Sequence, residues 1–138
     1  MRILGLDLGS KTLGIALSDP SAILACGMET FQFPENNFSL PLDYIIRFID
    51  NNKVDAVVLG YPKNMDGSIG SQGHVSEDFR DALQKKISIP ITLWDERLTS
   101  RIVNRAMISA DVSRKKRKEN VDRLAATVIL QSYLDSRK

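Results

Sequence analysis

The 138-residue sequence predicts an α/β fold: a mixed five-stranded sheet, a three-stranded antiparallel meander followed by parallel strands, flanked by helices. Three observations lead there. The chain opens with two short apolar runs separated by turn formers, both too short for a helix, and a third run follows at 23–33, so that a meander of three strands is the natural reading. Apolar strand-like segments then alternate with stretches of helical periodicity, the pattern that generates parallel strands with crossover helices. No internal repeat, low-complexity tract or domain boundary divides the sequence, so residues 1–138 are expected to form one domain.

Residues 2–8 and 13–18 flank the turn Gly9-Ser10-Lys11-Thr12, and the run at 23–33 supplies the third strand. Pro34-Glu35-Asn36-Asn37 breaks the chain. Leu42, Ile45, Ile46 and Ile49 then recur at helical spacing, with Ser39 expected to cap and Pro41 tolerated in the first turn. The segment from Asp55 through AVVLGY is apolar on both faces, which suits an interior strand. Turn formers fill 62–73, and Val75, Phe79, Ala82 and Leu83 mark the second helix. Residues 89–96 form the fifth strand, followed by a helix with Thr99 as its cap and Ile102, Val103, Ala106 and Met107 on one face. The run Arg114-Lys115-Lys116-Arg117-Lys118 reads as a disordered basic connector before a last helix from about Glu119 to Tyr133.

No apolar run approaches membrane-spanning length and the start lacks a secretory signal, so a cytoplasmic protein with no membrane partner is expected. Cys26 has no second cysteine to pair with and is expected to be a small core filler. The net charge is only +2, yet it is unevenly spread. Residues 1–96 hold 8 Lys/Arg against 13 Asp/Glu, a balance of −5, and residues 97–138 hold 11 against 4, a balance of +7. A basic back half of this kind suits a polyanion, and local carboxylates suit a site.

The opening LGLDLGSKT admits two readings. As a phosphate loop it fails: the G-x-x-x-x-G-K-[ST] spacing is short by one residue, and Leu13-GIALS reads as a strand where a helix is required. A likeness to the first phosphate hairpin of actin, sugar kinases and heat-shock chaperones is closer, but those proteins hold nucleotide between two lobes and this chain has one. The alternative makes Asp7 the working group. Alternation puts it on the side of Ile3 and Gly5, where a carboxylate needs compensation. Asp95 or Glu96 arrives at the carboxyl end of a parallel strand, where α/β sheets present functional groups. Asp122 shares a helical stripe with Ala125, Ala126, Ile129 and Tyr133. Three acids from distant parts of the chain, if they converge, would bind one or two hard divalent cations, Mg2+ or Mn2+, of use in phosphodiester hydrolysis. His74 and Cys26 are too few for zinc.

Four motifs then stand in one order: Asp7-LGSKTLGIALS-Asp19, Val58-LGYPKNM-Asp66-Gly67, Trp94-Asp-Glu96-Arg97-Leu-Thr99 and Val121-Asp122-RLAATVIL. Together they resemble the YqgF (RuvX) family of bacterial nucleases in the RNase H-like, RuvC-related superfamily. That resemblance implies an RNase H-like fold and metal-dependent phosphodiester hydrolysis, on the 5′ end of pre-16S ribosomal RNA or on Holliday junctions and other branched DNA. It selects Glu96 over Asp95 and assigns the metal to Asp7, Glu96 and Asp122. It makes Lys11 and Arg97 phosphate contacts and gives Gly9, Pro62, Asn64, Asp66 and Gly67 the border of the cleft, with Asp66 read either as an outer metal contact or as a plain turn residue. Arg101 and the run Arg114 to Lys118 are the further nucleic-acid contacts. RuvC-type enzymes carry a fourth acid one turn beyond the third, where this sequence has Ala125 and Ala126. A catalytically weak nucleic-acid-binding factor is therefore the competing expectation, a nucleotide phosphotransferase the third, and the chain is expected to act as a monomer or homodimer.

Overall fold

The computed structural model describes residues 1–95 and 114–137, and for 114–122 the backbone only. Strands β1 (Ile3–Leu8), β2 (Thr12–Ser18) and β3 (Ala25–Gln32) are followed by α1 (Ser39–Asn52), β4 (Ala56–Tyr61), α2 (Ser71–Gln84), β5 (Ile91–Asp95) and α3 (Arg114–Ser136). Across the sheet the order is β3-β2-β1-β4-β5. β1 pairs antiparallel with β2 and parallel with β4, and β4 pairs parallel with β5. This is the expected meander with parallel additions. The helix expected after β5 lies outside the described residues.

Two apolar layers sandwich the sheet. On one face α1 and α2 close over Leu6, Ile15, Ile45, Leu59, Phe79 and Leu83. On the other, α3 lays Ala126, Ile129 and Leu130 over Ile3, Ala16 and Val58. β1 and β4 are covered on both sides, which is why their sequences run apolar without alternation. The closest approach is at Gly5. A Cβ there would lie 2.7 Å from Leu130 Cβ and 3.1 Å from the Ala126 carbonyl oxygen.

Several expectations change. Ser39 is the first helical residue and not the cap: its hydroxyl donates to Asn37 Oδ1, and Phe38, packed edge-on to Phe33, occupies the cap position. The tight turn from Pro34 to Asn37 delivers the chain to the helix one residue early. α2 likewise starts at Ser71, inside the segment expected to be loop. Cys26 is exposed and not a core filler, because β3 is the edge strand. The basic run from Arg114 to Lys118 is not a connector: α3 begins at Arg114 and continues unbroken through it. Lys, Arg and Glu are good helix formers, and no Gly or Pro interrupts propagation from the packed half.

The packing at Gly5 leads to a measurable contrast. Gly5→Ala should destabilise the protein by about 1–3 kcal/mol, since the Ala126 backbone and the Leu130 Cβ block the new methyl. Gly9→Ala, whose new Cβ would meet the Thr12 hydroxyl at 3.2 Å and the Thr12 carbonyl oxygen at an ordinary 3.5 Å, should cost less than about 1 kcal/mol. Urea unfolding of both variants gives the comparison.

Candidate active site

The parallel strands β1, β4 and β5 end at one edge of the sheet, at Leu8, Tyr61 and Asp95. Asp7 sits there, half-buried, opposite Gly14 of β2. Ile3 and Gly5 face α3, so alternation along β1 puts Asp7 on the α3 face, as its sequence pattern indicates.

α3 runs antiparallel to β1. Gln131 meets β3 at Ala25, accepting its N–H at 2.8 Å, whereas Thr127 and Arg123 meet it two residues on at Gly27. Gly5 lies level with Gly27 through Ala16 and is covered by Ala126 and Leu130. One further helical turn rises about 5.4 Å, nearly matching the ~6.7 Å of two strand residues. The α3 backbone at position 122 therefore comes over position 7. The Asp122 side chain and the whole of Glu96 lie outside the description, as do Arg97 and Arg101. Among the described residues no group of three His, Cys, Asp or Glu side chains comes together.

The choice between the paired acids becomes clearer at β5. Trp94 joins the α3 layer, where its indole N–H donates to Ser132 Oγ at 3.2 Å and its ring meets Tyr133 edge-on at 5.4 Å. Ile91 and Leu93 belong to the opposite layer. Asp95 shares their parity and thus faces away from Asp7.

The rim is built from two turns. The β1–β2 hairpin closes through a Gly9 N–H to Thr12 carbonyl bond of 2.8 Å and exposes Lys11 at its tip. It leads into β2, with no helix to meet a phosphate, so the nucleotide-loop reading lacks its key element. After β4, the Gly67 N–H donates to the Asn64 carbonyl at 2.8 Å, and Gly67 takes φ 89°. Asp66 Oδ1 accepts from the Ser68 N–H and hydroxyl at 2.9 and 2.6 Å, the behaviour of a turn-forming aspartate. Pro62 and Asn64 press on the start of α2: Gly73 has room only for hydrogen beside the Pro62 carbonyl, and Gly70 packs on the Asn64 amide.

Sequence reading missed Gln72. Its Nε2 donates at 2.9 Å to the Leu8 carbonyl, the residue after Asp7. A lone glutamine in a turn-rich segment gives no signal of a partner 64 residues away. The charged network beside it was also unforeseen. On the α2 face, the Tyr61 hydroxyl donates to Glu77 Oε2 at 2.7 Å and His74 Nδ1 lies 2.8 Å from Glu77 Oε1. Tyr61, then His74, hold the Glu77 carboxyl below its ordinary range, and the Glu77 hydrogen bond pushes the Tyr61 hydroxyl up.

A carboxylate on the central strand, facing a close-packed helix at the edge where parallel strands end, fits a nuclease of the resolvase type. The chain matches the RuvX family, described as Holliday junction resolvase, over residues 1–136, and belongs to it. A Geobacillus sp. (strain WCH70) protein named "Putative pre-16S rRNA nuclease" is 49% identical over 138 residues, covering 100% of both chains. T. thermophilus RuvC, solved in complex with Holliday junction substrate, superposes with a TM-score of 0.64 at 11% identity, over 99% of this chain and 95% of that one. A ROK hexokinase from Thermus thermophilus reaches 0.51 at 16% identity, over 78% of this chain but 38% of the kinase, a likeness of fold confined to part of a larger protein. Among the described residues no helix is long and apolar enough to cross a membrane.

The Tyr61–Glu77 bond carries a pH signature. A carboxyl whose pKa is depressed by folding contributes stability above its unfolded pKa and loses it as pH falls through the folded value. Tyr61→Phe should therefore lower stability at neutral pH, and its deficit should shrink below the ordinary glutamate range; urea midpoints across that window give the test.

Proposed function

We propose that the chain acts as a single-domain, divalent-metal-dependent endonuclease on 16S ribosomal RNA precursors, with Asp7, Glu96 and Asp122 as its catalytic acids. This reading is supported by the position of Asp7 on the α3 face at the carboxyl edge of the parallel strands, the edge toward which the N-terminal half of α3 extends from its seat on Gly5. The relatives' name supports RNA, and the family's description makes branched DNA the competing substrate.

Mg2+ or Mn2+ fits the donor set. Asp7 offers acceptor-only oxygen on a half-buried face, and all three acids are hard ligands suited to such ions. When bound, a divalent ion there supplies an activated water and neutralises charge on the leaving oxygen. The chain's own residues do the remaining work. Asp7 is held in register by β2, opposite Gly14. Lys11, exposed at the hairpin tip, meets the phosphate backbone, as do Arg97, Arg101 and the run Arg114, Lys115, Lys116, Arg117 and Lys118. Gly9, Pro62, Asn64, Asp66 and Gly67 border the cleft. Action on ribosomal RNA precursors would take place in the cytoplasm.

A second reading, binding without efficient cleavage, draws on Ala125 and Ala126, both buried where a fourth acid would stand. The two separate in one experiment. Wild type, Asp7→Asn, Glu96→Gln and Asp122→Asn are compared on 16S precursor RNA and four-way DNA junctions, with Mg2+ and with Mn2+. Each substitution should reduce cleavage by at least ~100-fold while leaving nucleic-acid affinity within a few-fold of wild type. Undiminished metal-dependent cleavage in Asp7→Asn would remove the nuclease assignment, and absence of cleavage by wild type would favour the binding factor.

The basic residues predict a salt dependence. Replacing Arg114 to Lys118 with glutamine should weaken binding across sequences alike and reduce the log–log salt slope by roughly 0.7–0.9 for each phosphate no longer neutralised. Fluorescence anisotropy titrations at several salt concentrations measure it.

A further inference from the structure

Parallel pairing between β1 and β4 stops at Leu6 and Leu59, one residue before Asp7, whereas β4 and β5 stay paired as far as Tyr61 and Asp95. Among the described residues, the central strand beyond Leu6 therefore has β2 on one side and no strand on the other. Gln72 reaches into that opening from α2, and its Nε2 donates to the Leu8 carbonyl at 2.9 Å in a part-buried setting. It substitutes for the missing ladder bond. Its own base is rigid: a Cβ on the adjoining Gly73 would lie 2.8 Å from the Pro62 carbonyl and 2.7 Å from Ile69 Cγ2. The loop after β4, the start of α2 and the end of β1 are thus one mechanical unit.

We propose that Gln72 is a positioning residue for Asp7: it fixes the Leu8 peptide and so sets the direction of the carboxylate from the opposite face of the sheet. The proposal rests on Asp7 being catalytic, and its test is built to fail separately. Residues 71–84 offer an internal control, because Gln84 on the same helix makes a similar clamp, donating to the Ile87 and Ile89 carbonyls at 3.3 and 3.0 Å, far from this edge.

In Gln72→Glu the side chain keeps its shape and loses the donor. Expected are a fall in kcat of about 10- to 100-fold, a weakened half-saturation for Mn2+, and an unchanged KM for RNA. Gln84→Glu should leave kcat and the Mn2+ requirement at the wild-type level, even where it lowers Tm as much. Gln72→Lys, which retains a donor of sufficient reach, should recover part of the lost kcat, and Gln72→Leu, which also lacks the donor, serves if Gln72→Glu does not fold. The amide nitrogen of Gly9, bonded to the Leu8 carbonyl carbon, reports the hydrogen bond directly by NMR. A Gly9 signal unmoved by loss of the donor, in Gln72→Glu or Gln72→Leu, would overturn the proposal. So would wild-type kcat and Mn2+ affinity in Gln72→Glu. If wild type cleaves neither RNA nor junction DNA, the nuclease reading fails on its own, and the Gly9 signal with Mn2+ binding by paramagnetic broadening still decides the role of Gln72.

Discussion

The absence of a side chain at Gly5 governs the architecture of the edge. Leu130 and the Ala126 carbonyl occupy the space a Cβ would need, so α3 rests directly on the backbone of the central strand. Gly27 repeats the device two strands away, where the Thr127 hydroxyl and the Arg123 stem fill the vacancy. Two close approaches of this kind fix both the height and the register of a helix. Position 122 comes over position 7 because 126 and 130 have nowhere else to sit.

The remaining parts of the edge follow from where strand pairing changes hand. β1 is the only described strand with an antiparallel neighbour on one side and a parallel one on the other. A hairpin keeps β2 paired to its last residue, whereas β4 arrives by crossover and leaves the ladder early. The opening at the end of β1 is thus a result of topology, and open α/β sheets bind ligands at such points. The other face of the sheet has a different character. Its apolar cavity of about 340 Å3 between α1 and α2, lined by Phe38, Leu42, Val75 and Phe79, stands apart from the acidic edge.

Much of this was legible in the sequence because it depends on local pattern. The period-two reading that put Asp7 with Ile3 and Gly5 was enough to select the α3 face, and the stripe through Ala126 and Ile129 was enough to select the helix. What escaped depends on partners far along the chain. Whether Ser39 caps a helix turns on Asn37 and Phe33, whether Cys26 is covered turns on which strand lies at the edge, and the role of Gln72 turns on where β1 and β4 part. The basic run was misread for a different reason: its charge suggested a solvated connector, while its residue types favour helix once the following turns are packed.

The alanines after Asp122 are explained by the same close packing. Ala126 is wholly buried, its carbonyl against Gly5, among Ile3, Ala16 and Val58; Ala125 beside it is 2% exposed. A carboxylate at 126 would enter an apolar layer with no room for a hydrogen-bond partner, a burial that costs several kcal/mol as an order of magnitude. A helix seated this low on its sheet leaves no room for a carboxylate at 126. The alanine at 126 is therefore a consequence of how α3 docks. An acid at 126 would require lifting the helix away from Gly5, against which the Ala126 carbonyl and Leu130 are packed.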